Sequence, residues 1–392
     1  MRSDGTSAVS AEPPSGRRVL LITNIFPPMI GGPATFIDRL GHELSHRGWR
    51  VTVVCSSECA SDASDLARPF RVCRVPVANR YLYEIRVRMV LAREMLRHQR
   101  IFVNLLEEYV SQVNRIFRRR FVLKVVGDRV WETARNRGAT DLDVDAFQTD
   151  AHQREIWADA IRERASWVRG AELVITPSQY LARIVCGWGV PAERVAVVPN
   201  GVDEEFFQAR AESPRDGGCL HALFVGRLTN WKGVDTLLLA LPRVPNVHVT
   251  VAGEGPEYAQ LTGLATQLGL AHRVSFTGRL ARSEVLAAMK RAHVLVLPSL
   301  YEGLSHTLLE AMAVGLPCIA TGCGGNSEVL VHEQNGLLVP PLHPPSVAAA
   351  LSRLERDENL RQALAEGARR TSRRYAFTNT VDKIVARLGE VW

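Results

Sequence analysis

Two glutamates, Glu302 and Glu310, are the first residues in this chain whose positions suggest chemistry. Glu302 follows an apolar run over 293–297 that predicts a buried parallel strand, and Glu310 falls in the helical pattern that begins after Ser305. A turn at the carboxyl end of a parallel strand presents free backbone N–H groups and the positive end of a helix dipole, which suits a phosphate. Carboxylates accept hydrogen bonds from hydroxyls. The stretch therefore favours a ligand with both hydroxyls and phosphates, such as a nucleotide sugar.

Two cations follow another predicted strand. Arg227 and Lys232 lie after the apolar run 220–225 and just before a helical pattern. A guanidinium can grip phosphate oxygens in a bidentate manner, and an ammonium adds a point charge. Together they could bind a diphosphate and offset the charge that grows on it as it leaves. The alternative is a pair of surface cations that flank a turn, but the Glu302 loop in the same half of the chain favours the diphosphate.

The elements that must position these residues alternate between strand and helix. After a linker at 211–218 that is rich in Ser, Pro, Asp and Gly, apolar strand-like runs are separated by helical patterns. This alternation predicts a doubly wound parallel sheet. The predicted strands of this half are 220–225, 247–252, 274–277, 293–297, 318–320 and 337–339.

The first half of the chain opens in the same way. A strand at 17–23 is followed by Gly31 and Gly32 and then by a helix from about Pro33. Paired glycines at this place let a ligand approach the backbone closely, although a plain turn is the simpler interpretation. The further strands predicted in this half are 50–54, 101–104, 121–126, 171–176 and 194–198.

A chain of 392 residues is too long for one hydrophobic core, so two domains are expected. The sequence predicts an α/β protein with two Rossmann-like, doubly wound parallel-sheet domains that face a cleft. The predicted parts are a disordered tail at 1–16, a first domain at 17–199 and a second domain at 200–374.

Positive charge is concentrated in one segment. Residues 80–120 hold ten arginines against four glutamates, whereas the whole chain carries a formal charge of +7. Two interpretations stay open: a solvated basic face, or a surface that meets an anionic membrane or polymer. Nucleic acid is not favoured, because no aromatic platform or recognisable binding module accompanies the charge.

The sequence also bears on location. It has no apolar run long enough to span a bilayer and no apolar core typical of a signal peptide. Its seven cysteines are odd in number and form no CxxC pair, which favours reduced thiols over disulfides or a zinc site. We therefore expect a cytoplasmic protein, peripheral on the inner face of the membrane if the arginine-rich segment binds lipid.

Taken in order along the chain, these short motifs resemble the retaining glycosyltransferases of family 4, also called glycosyl transferases group 1. The motifs that carry the resemblance are Gly31-Gly32, Pro199 to Asp203, Gly226-Arg227 with Lys232-Gly233, Gly253 to Pro256, Phe276 to Gly278, and Glu302 with Glu310. The resemblance implies the GT-B fold, with the acceptor on the side of the first domain and the nucleotide sugar bound mainly by the second. It also implies that a final helix, 375–392, crosses back onto the first domain.

The resemblance assigns roles to individual residues. Arg227 and Lys232 would hold the donor diphosphate, and Glu302 would contact the sugar hydroxyls near the reacting carbon. Glu310 would accept hydrogen bonds from the ribose hydroxyls. The remaining donor contacts would be made largely by backbone: at Gly303, Leu304 and Ser305 to sugar and phosphate, at Arg279 and Leu280 to the base, and at Gly31 and Gly32 as the first domain closes over the phosphates.

One departure from the family concerns the end of the first domain's buried strand. Many relatives carry a histidine there, whereas this chain reads Val125-Val126-Gly127-Asp128. Asp128 could take over a catalytic contact to the sugar or acceptor. It could equally be a structural cap for the helix that follows.

The function that the resemblance implies is transfer of a hexose, with retention, from a UDP- or GDP-type sugar to a hydroxyl of a polysaccharide, lipid-linked glycan or glycolipid. This would be a hexosyltransferase of the EC 2.4 class that needs no metal and no cofactor. The alternative is a catalytically inactive relative that binds sugar nucleotides or acts as a scaffold. A sugar-nucleotide epimerase or a phosphorylase is less favoured, because we find neither the histidine and carboxylate set of the first nor the pyridoxal phosphate lysine of the second.

Overall fold

The computed structural model of the chain describes residues 17–29, 31–211 and 218–391. The predicted tail at 1–16, most of the predicted linker (212–217) and Trp392 lie outside the described residues. Contacts divide the chain into two compact units, the first ending at Lys124 and the second beginning at Val125. The predicted domain boundary between residues 199 and 200 stays a prediction.

The first unit holds a parallel sheet with the strand order β3-β2-β1-β4-β5. Its strands are β1 Arg18–Thr23, β2 Arg50–Ser57, β3 Arg71–Pro76, β4 Arg100–Asn104 and β5 Phe121–Lys124. Its helices are α1 Gly32–His46, α2 Arg80–Arg97 and α3 Glu107–Phe117. The apolar run of β1 is buried along nearly its whole length, because a central parallel strand is covered on both faces.

The second unit begins with helices and a pair of parallel strands. These elements are α4 Arg129–Asn136, α5 Val144–Thr149, α6 Ala151–Ile156, α7 Ala158–Gly170, β6 Leu173–Thr176, α8 Gln179–Gly187, β7 Val195–Val197 and α9 Glu204–Gln208. Strand β6 pairs with β7 in parallel, with Ile175 opposite Ala196.

A six-stranded parallel sheet forms the rest of the second unit, in the order β10-β9-β8-β11-β12-β13. Its strands are β8 Leu220–Val225, β9 Val247–Ala252, β10 Val274–Gly278, β11 Val294–Leu297, β12 Cys318–Thr321 and β13 Leu337–Val339. Its helices are α10 Val234–Ala240, α11 Tyr258–Gln267, α12 Arg282–Arg291, α13 His306–Val314, α14 Pro344–Arg356, α15 Glu358–Ser372 and α16 Phe377–Val391. The order reverses between β8 and β11, and such a switch point opens a crevice at the carboxyl ends of the strands.

The predicted parallel sheets with alternating helices are confirmed. Strands β8, β9 and β13 have the predicted bounds, whereas β3 was not predicted. None of the described helices is both long and apolar enough to cross a membrane. The last helix, α16, is anchored at its start, where the Phe377 amide donates to Val202 O at 2.8 Å and Thr380 Oγ1 donates to Pro199 O at 3.1 Å. Its predicted crossing back onto the first domain stays a prediction.

Candidate functional site

Lys232 and Glu302 meet at the switch point of the six-stranded sheet. Lys232 Nζ lies 2.7 Å from Glu302 Oε1, and Ser299 Oγ donates to the same oxygen at 2.9 Å. Lys232 follows β8 and Glu302 follows β11, so the reversal of strand order places the two loops side by side. Glu302 Oε2 has no hydrogen-bond partner among the described residues. One oxygen therefore fixes the carboxylate, and the other is left for a ligand.

Arg227 lies on the same loop as Lys232 but has a different environment. Its side chain is exposed, and none of the described residues forms an ion pair or hydrogen bond with it. The backbone on either side is fixed, because the Gly226 amide donates to Ala252 O at 3.0 Å and the Leu228 amide donates to Glu254 O at 2.9 Å. Arg227 is thus a free guanidinium on a rigid turn, which is the arrangement that an anion-binding role requires.

Glycines hold the loops of this edge main chain to main chain. A Cβ on Gly233 would lie 2.0 Å from Pro298 O, and one on Gly253 would lie 1.8 Å from Gly226 O. A Cβ on Gly255 would lie 2.1 Å from Leu228 O. Gly233 also has a φ of +71°, which favours glycine. The loops after β8, β9 and β11 therefore pack so closely that only glycine fits at these positions.

The three amides predicted to face the sugar and phosphate differ in whether they already donate a hydrogen bond. The Ser305 amide donates to Asn326 Oδ1 at 3.1 Å, and its contact with the sugar or phosphate stays a prediction. Ser305 Oγ instead caps α13 by accepting from the Leu308 amide at 3.2 Å. The amides of Gly303 and Leu304 have no acceptor within the described parts of the chain. Two of the three predicted donors are thus open to an anion.

Glu310 is held by a residue that the sequence analysis did not select. Arg282 Nη1 donates to Glu310 Oε1 at 3.1 Å, and Arg282 Nε lies 2.8 Å from Glu205 Oε1. Arg282 also pairs with Asp203, in the turn that precedes α9. The arginine therefore gathers three carboxylates and orients Glu310. The role of Glu310 toward a ribose stays a prediction.

The residues predicted to meet the base lie after β10. Arg279 is exposed, and its ion pair with Glu254 is long, at 3.9 Å. Leu280 is half-buried. Gly278 has a φ of +70°, which turns the chain at this point. The contact of the Arg279 and Leu280 backbone with a base stays a prediction.

Gly31 and Gly32 belong to the first unit. They form the start of α1, where Gly31 O accepts a hydrogen bond from the Thr35 amide at 3.1 Å. The predicted position of the two glycines, between the first strand and its helix, is confirmed. Their approach to the phosphates stays a prediction.

Asp128 proves to be a buried structural group. Its Oδ1 caps α4 by accepting from the amides of Val130 at 3.0 Å and Trp131 at 3.4 Å. Its Oδ2 accepts from Gln148 Nε2 at 2.9 Å and is paired with Arg164. The side chain has no exposed surface, and both oxygens are occupied. The catalytic role predicted for Asp128 is therefore corrected to the structural cap that was its alternative.

A different carboxylate, Glu132, lies near the cations and was missed. Burial and the neighbouring Asp128 raise the pKa of Glu132 to about 7, while the charges of Lys232, Arg129 and Arg227 act in the opposite direction. The sequence signal was present: Glu132 comes one helical turn after the capping Asp128 and so lies near the same end of α4.

Two family models match the chain. The model described as glycosyl transferases group 1 matches residues 205–371, and the model described as glycosyl transferase 4-like domain matches residues 31–201. The chain is 30% identical over 381 residues to the GDP-mannose-dependent alpha-(1-6)-phosphatidylinositol monomannoside mannosyltransferase of Mycobacterium tuberculosis, which covers 90% of this chain and 92% of that protein. The chain belongs to the group 1 (family 4) glycosyltransferases, and the predicted resemblance is confirmed.

Other similarities are partial or concern the fold. The chain is 33% identical over 227 residues to the uncharacterized glycosyltransferase MJ1607 of Methanocaldococcus jannaschii, a match that spans 54% of this chain and 58% of that relative. The crystal structure of Anabaena Alr3699/HepE in complex with UDP and glucose has a TM-score of 0.75 at 20% identity, over 95% of this chain and all of that one. This similarity confirms the predicted GT-B fold class.

Proposed function

We propose that this chain is a retaining hexosyltransferase that moves a hexose from a UDP- or GDP-sugar to a hydroxyl of an acceptor. The observation that carries the proposal is the Lys232–Glu302 pair at the switch point. An ammonium and a carboxylate held side by side can engage the two parts of a sugar diphosphate, the cation binding the phosphate and the carboxylate a sugar hydroxyl.

The cations of the site supply the electrostatics of the reaction. Arg227 and Lys232 hold the diphosphate, together with the open amides of Gly303 and Leu304. Negative charge grows on the diphosphate as its bond to the sugar breaks, and fixed positive groups stabilise that charge. These groups take the place of a metal ion in the proposed reaction, and no cofactor enters it.

The remaining contacts orient the donor. Glu302 Oε2 accepts a hydrogen bond from a sugar hydroxyl, and Glu310 accepts hydrogen bonds from the ribose hydroxyls. The backbone at Arg279 and Leu280 contacts the base. The acceptor oxygen bonds to the anomeric carbon on the face from which the diphosphate departs. The bond from that carbon to the phosphate oxygen breaks, and the acceptor proton passes to the departing phosphate. Attack on this face retains the configuration of the sugar.

The similar proteins support the donor class. One relative is named as GDP-mannose-dependent, and the solved HepE structure contains UDP and glucose. The ligands in both names are consistent with a site that binds a nucleoside diphosphate and a hexose. The non-catalytic alternative gains no support, because the acidic and basic groups that the reaction needs are present and two of them are already in contact.

A thermal-shift panel tests the donor site. UDP-glucose, UDP-galactose, GDP-mannose and the free diphosphates are added to the wild-type chain, and a bound donor should raise the melting temperature by mass action. Arg227→Ala should abolish that rise. Arg291→Ala, another exposed arginine of the second unit, is the matched control and should keep it. A panel in which no nucleotide stabilises the chain would contradict the proposal. Proton NMR of the first product shows from its anomeric signal whether the configuration of the sugar is retained.

The acceptor is proposed to be a polysaccharide, lipid-linked glycan or glycolipid, reached at the inner face of the membrane. Support comes from α2, where large apolar side chains are exposed on a helix that also carries arginines. Ile85 and Met89 are each more than half exposed, one helical turn apart, and Arg86 and Arg93 are exposed on the same helix. Apolar side chains flanked by cations suit an anionic lipid surface.

Vesicle binding tests this surface. Ile85→Ser with Met89→Ser should weaken sedimentation with vesicles of phosphatidylglycerol and phosphatidylcholine, because the variant has less apolar area to insert. Leu66→Ser is the matched control, since Leu66 is 92% exposed but lies outside α2. Equal sedimentation of the double variant and the wild type would exclude α2 as the membrane contact.

A further inference from the structure

The carboxylate of Glu132 lies over Gly127. A Cβ on Gly127 would be 2.5 Å from Glu132 Oε1 and 3.6 Å from Tyr301 Oη. The missing side chain at position 127 therefore leaves the space that the carboxylate fills. The Tyr301 hydroxyl borders the same space.

The packing of α4 brings Glu132 to this place. The ring of Trp131, the residue before Glu132, lies 5.5 Å from the ring of Trp231 and 5.2 Å from that of Tyr301. Asn230 Nδ2 also donates to Arg135 O of the same helix at 2.9 Å. Trp231 precedes Lys232 in the chain and Tyr301 precedes Glu302. The helix is thus anchored to both loops that carry the ion pair of the site.

Neither polar group in this space has a protein partner. Within the described parts of the chain, no hydrogen bond or ion pair is formed by the Glu132 carboxylate. Tyr301 is 4% exposed, and its hydroxyl is buried without a hydrogen-bond partner. Buried polar groups are nearly always paired, so the unpaired Tyr301 hydroxyl marks a place where a ligand or a water can bind.

We infer that Glu132 accepts a hydrogen bond from a hydroxyl of a sugar bound at the diphosphate site, where the unpaired Tyr301 hydroxyl borders the same space. This inference rests on the proposed function, because it requires a sugar next to Lys232 and Arg227. The hydroxyl can belong to the transferred sugar or to the acceptor, and the chemistry of recognition is the same.

The charge state of Glu132 gives the contact a pH signature. Its pKa is raised to about 7 by burial and by Asp128, and is moderated by Lys232, Arg129 and Arg227. Tyr301 faces it from the loop after β11, and burial raises the pKa of Tyr301 so that it stays protonated. The ionised carboxylate is the stronger acceptor. We therefore expect kcat/KM to rise with pH through about 7 in the wild type, and this rise to be absent from Glu132→Gln.

The test compares Glu132→Gln with Glu163→Gln, an exposed glutamate of α7 that serves as the charge-matched control. Dissociation constants are measured by calorimetry for UDP, GDP, UDP-glucose and GDP-mannose. Release of the diphosphate is followed with water alone and with octyl glucoside or octyl mannoside as the acceptor. We expect Glu132→Gln to bind the free diphosphates as the wild type does.

If the hydroxyl belongs to the donor sugar, Glu132→Gln should weaken nucleotide-sugar binding roughly 10- to 100-fold, the usual range for one charged hydrogen bond. If it belongs to the acceptor, the variant should instead keep its donor affinity and show a higher KM for the alkyl glycoside. Gly127→Ala is the second variant. It keeps the charge but displaces the carboxylate, so it should change the same quantity in the same direction.

The outcomes separate the two proposals. A wild type that binds none of the nucleotides contradicts the proposed function itself. The second outcome concerns Glu132 alone. Its role is overturned if the wild type binds nucleotide sugars and releases the diphosphate, and Glu132→Gln matches it in three quantities. These are the nucleotide-sugar affinity, the diphosphate release with water and with the glycoside, and the pH profile.

Discussion

Two carboxylates one helical turn apart on α4 have opposite environments. Asp128 is fully buried, and its two oxygens are occupied by the helix amides, Gln148 and Arg164. Arg164 in turn lies 4.0 Å from the ring of Trp188, whose Nε1 donates to Gln148 at 2.9 Å. Glu132 lies beside the cations of the site and has no partner within the described residues. Both oxygens of the Asp128 carboxylate are thus paired, whereas the carboxylate of Glu132 is unpaired in the described part of the chain.

This difference in pairing distinguishes polar groups that stabilise the fold from polar groups that can bind a ligand. A buried charge with all its hydrogen bonds satisfied holds the fold, and removing one member leaves the others unpaired. A polar group that the protein leaves unsatisfied has its pairing capacity available for a ligand. The same division applies to the arginines, since Arg164 is paired and buried whereas Arg227 is free and exposed.

The strongest test of the network around Asp128 is Asp128→Ala. We expect it to lower the free energy of unfolding by about 3–5 kcal/mol, because Arg164 would remain buried without its partner and α4 would lose its cap. Urea denaturation measures the loss. Asp159→Ala, which removes an exposed partner of Arg162, should cost no more than about 1 kcal/mol. Equal losses in the two variants would mean that the Asp128 network stabilises the fold no more than an exposed ion pair does.

On the open side of the comparison, Arg227→Ala should affect turnover and not folding. Loss of one preorganised charge at a departing group typically lowers kcat by about 10²–10³-fold. The free energy of unfolding should stay within about 0.5 kcal/mol of the wild type, because no described residue depends on this side chain. Steady-state release of the diphosphate together with urea denaturation checks both statements. Wild-type turnover in this variant would remove Arg227 from the site.

Glu310 is a paired carboxylate at the site, because Arg282 Nη1 donates to its Oε1 at 3.1 Å. Glu310→Gln should weaken nucleotide binding by about 1–2 kcal/mol, since a neutral amide is a weaker acceptor for ribose hydroxyls than a carboxylate. Titration with UDP and with GDP measures the change, and the 2′-deoxy nucleotides should show a smaller one. Unchanged affinity for the ribose forms would leave Glu310 with a purely structural role beside Arg282.

The smallest expected effect is a pH-dependent change in stability at Glu132. Its folded pKa, about 7, lies above its ordinary value of 4.5, so the folded state binds more protons between these values. Wild-type stability should therefore fall as pH rises from about 4.5 to 7, and this fall should be missing in Glu132→Gln. The difference between the two melting curves should amount to on the order of 1 kcal/mol, because the carboxylate is partly exposed. Parallel pH profiles of melting temperature would show that Glu132 does not titrate there.

Much of the fold was predictable because buried parallel strands appear as continuous apolar runs. Strands β8 and β9 were found with their observed bounds for this reason. Strand β3 was missed because its sequence, RVCRVP, is interrupted by arginines. One of them, Arg74, is nevertheless buried, since Asp65 pairs with it at 2.7 Å. A charge that is neutralised by a neighbour in space cannot be recognised from the strand alone.

The site was predictable only in part. The residue types at Lys232 and Glu302 indicated the chemistry, but their 2.7 Å contact joins positions 70 residues apart and depends on the strand order. Asp128 and Glu132 could not be distinguished, because the partner that closes the first, Arg164, comes 36 residues later. Arg282 was overlooked for the same reason, since its three carboxylate partners lie in distant segments.

The close backbone contacts at Gly233, Gly253 and Gly255 have a consequence for engineering the specificity of this enzyme class. The loops that carry the cations are locked to one another through carbonyl groups, so their shape does not depend on the exposed side chains they display. Exposed side chains on these loops, such as that of Arg227, can thus be exchanged in libraries while the frame around them persists. The three glycines themselves should be left out of any such library.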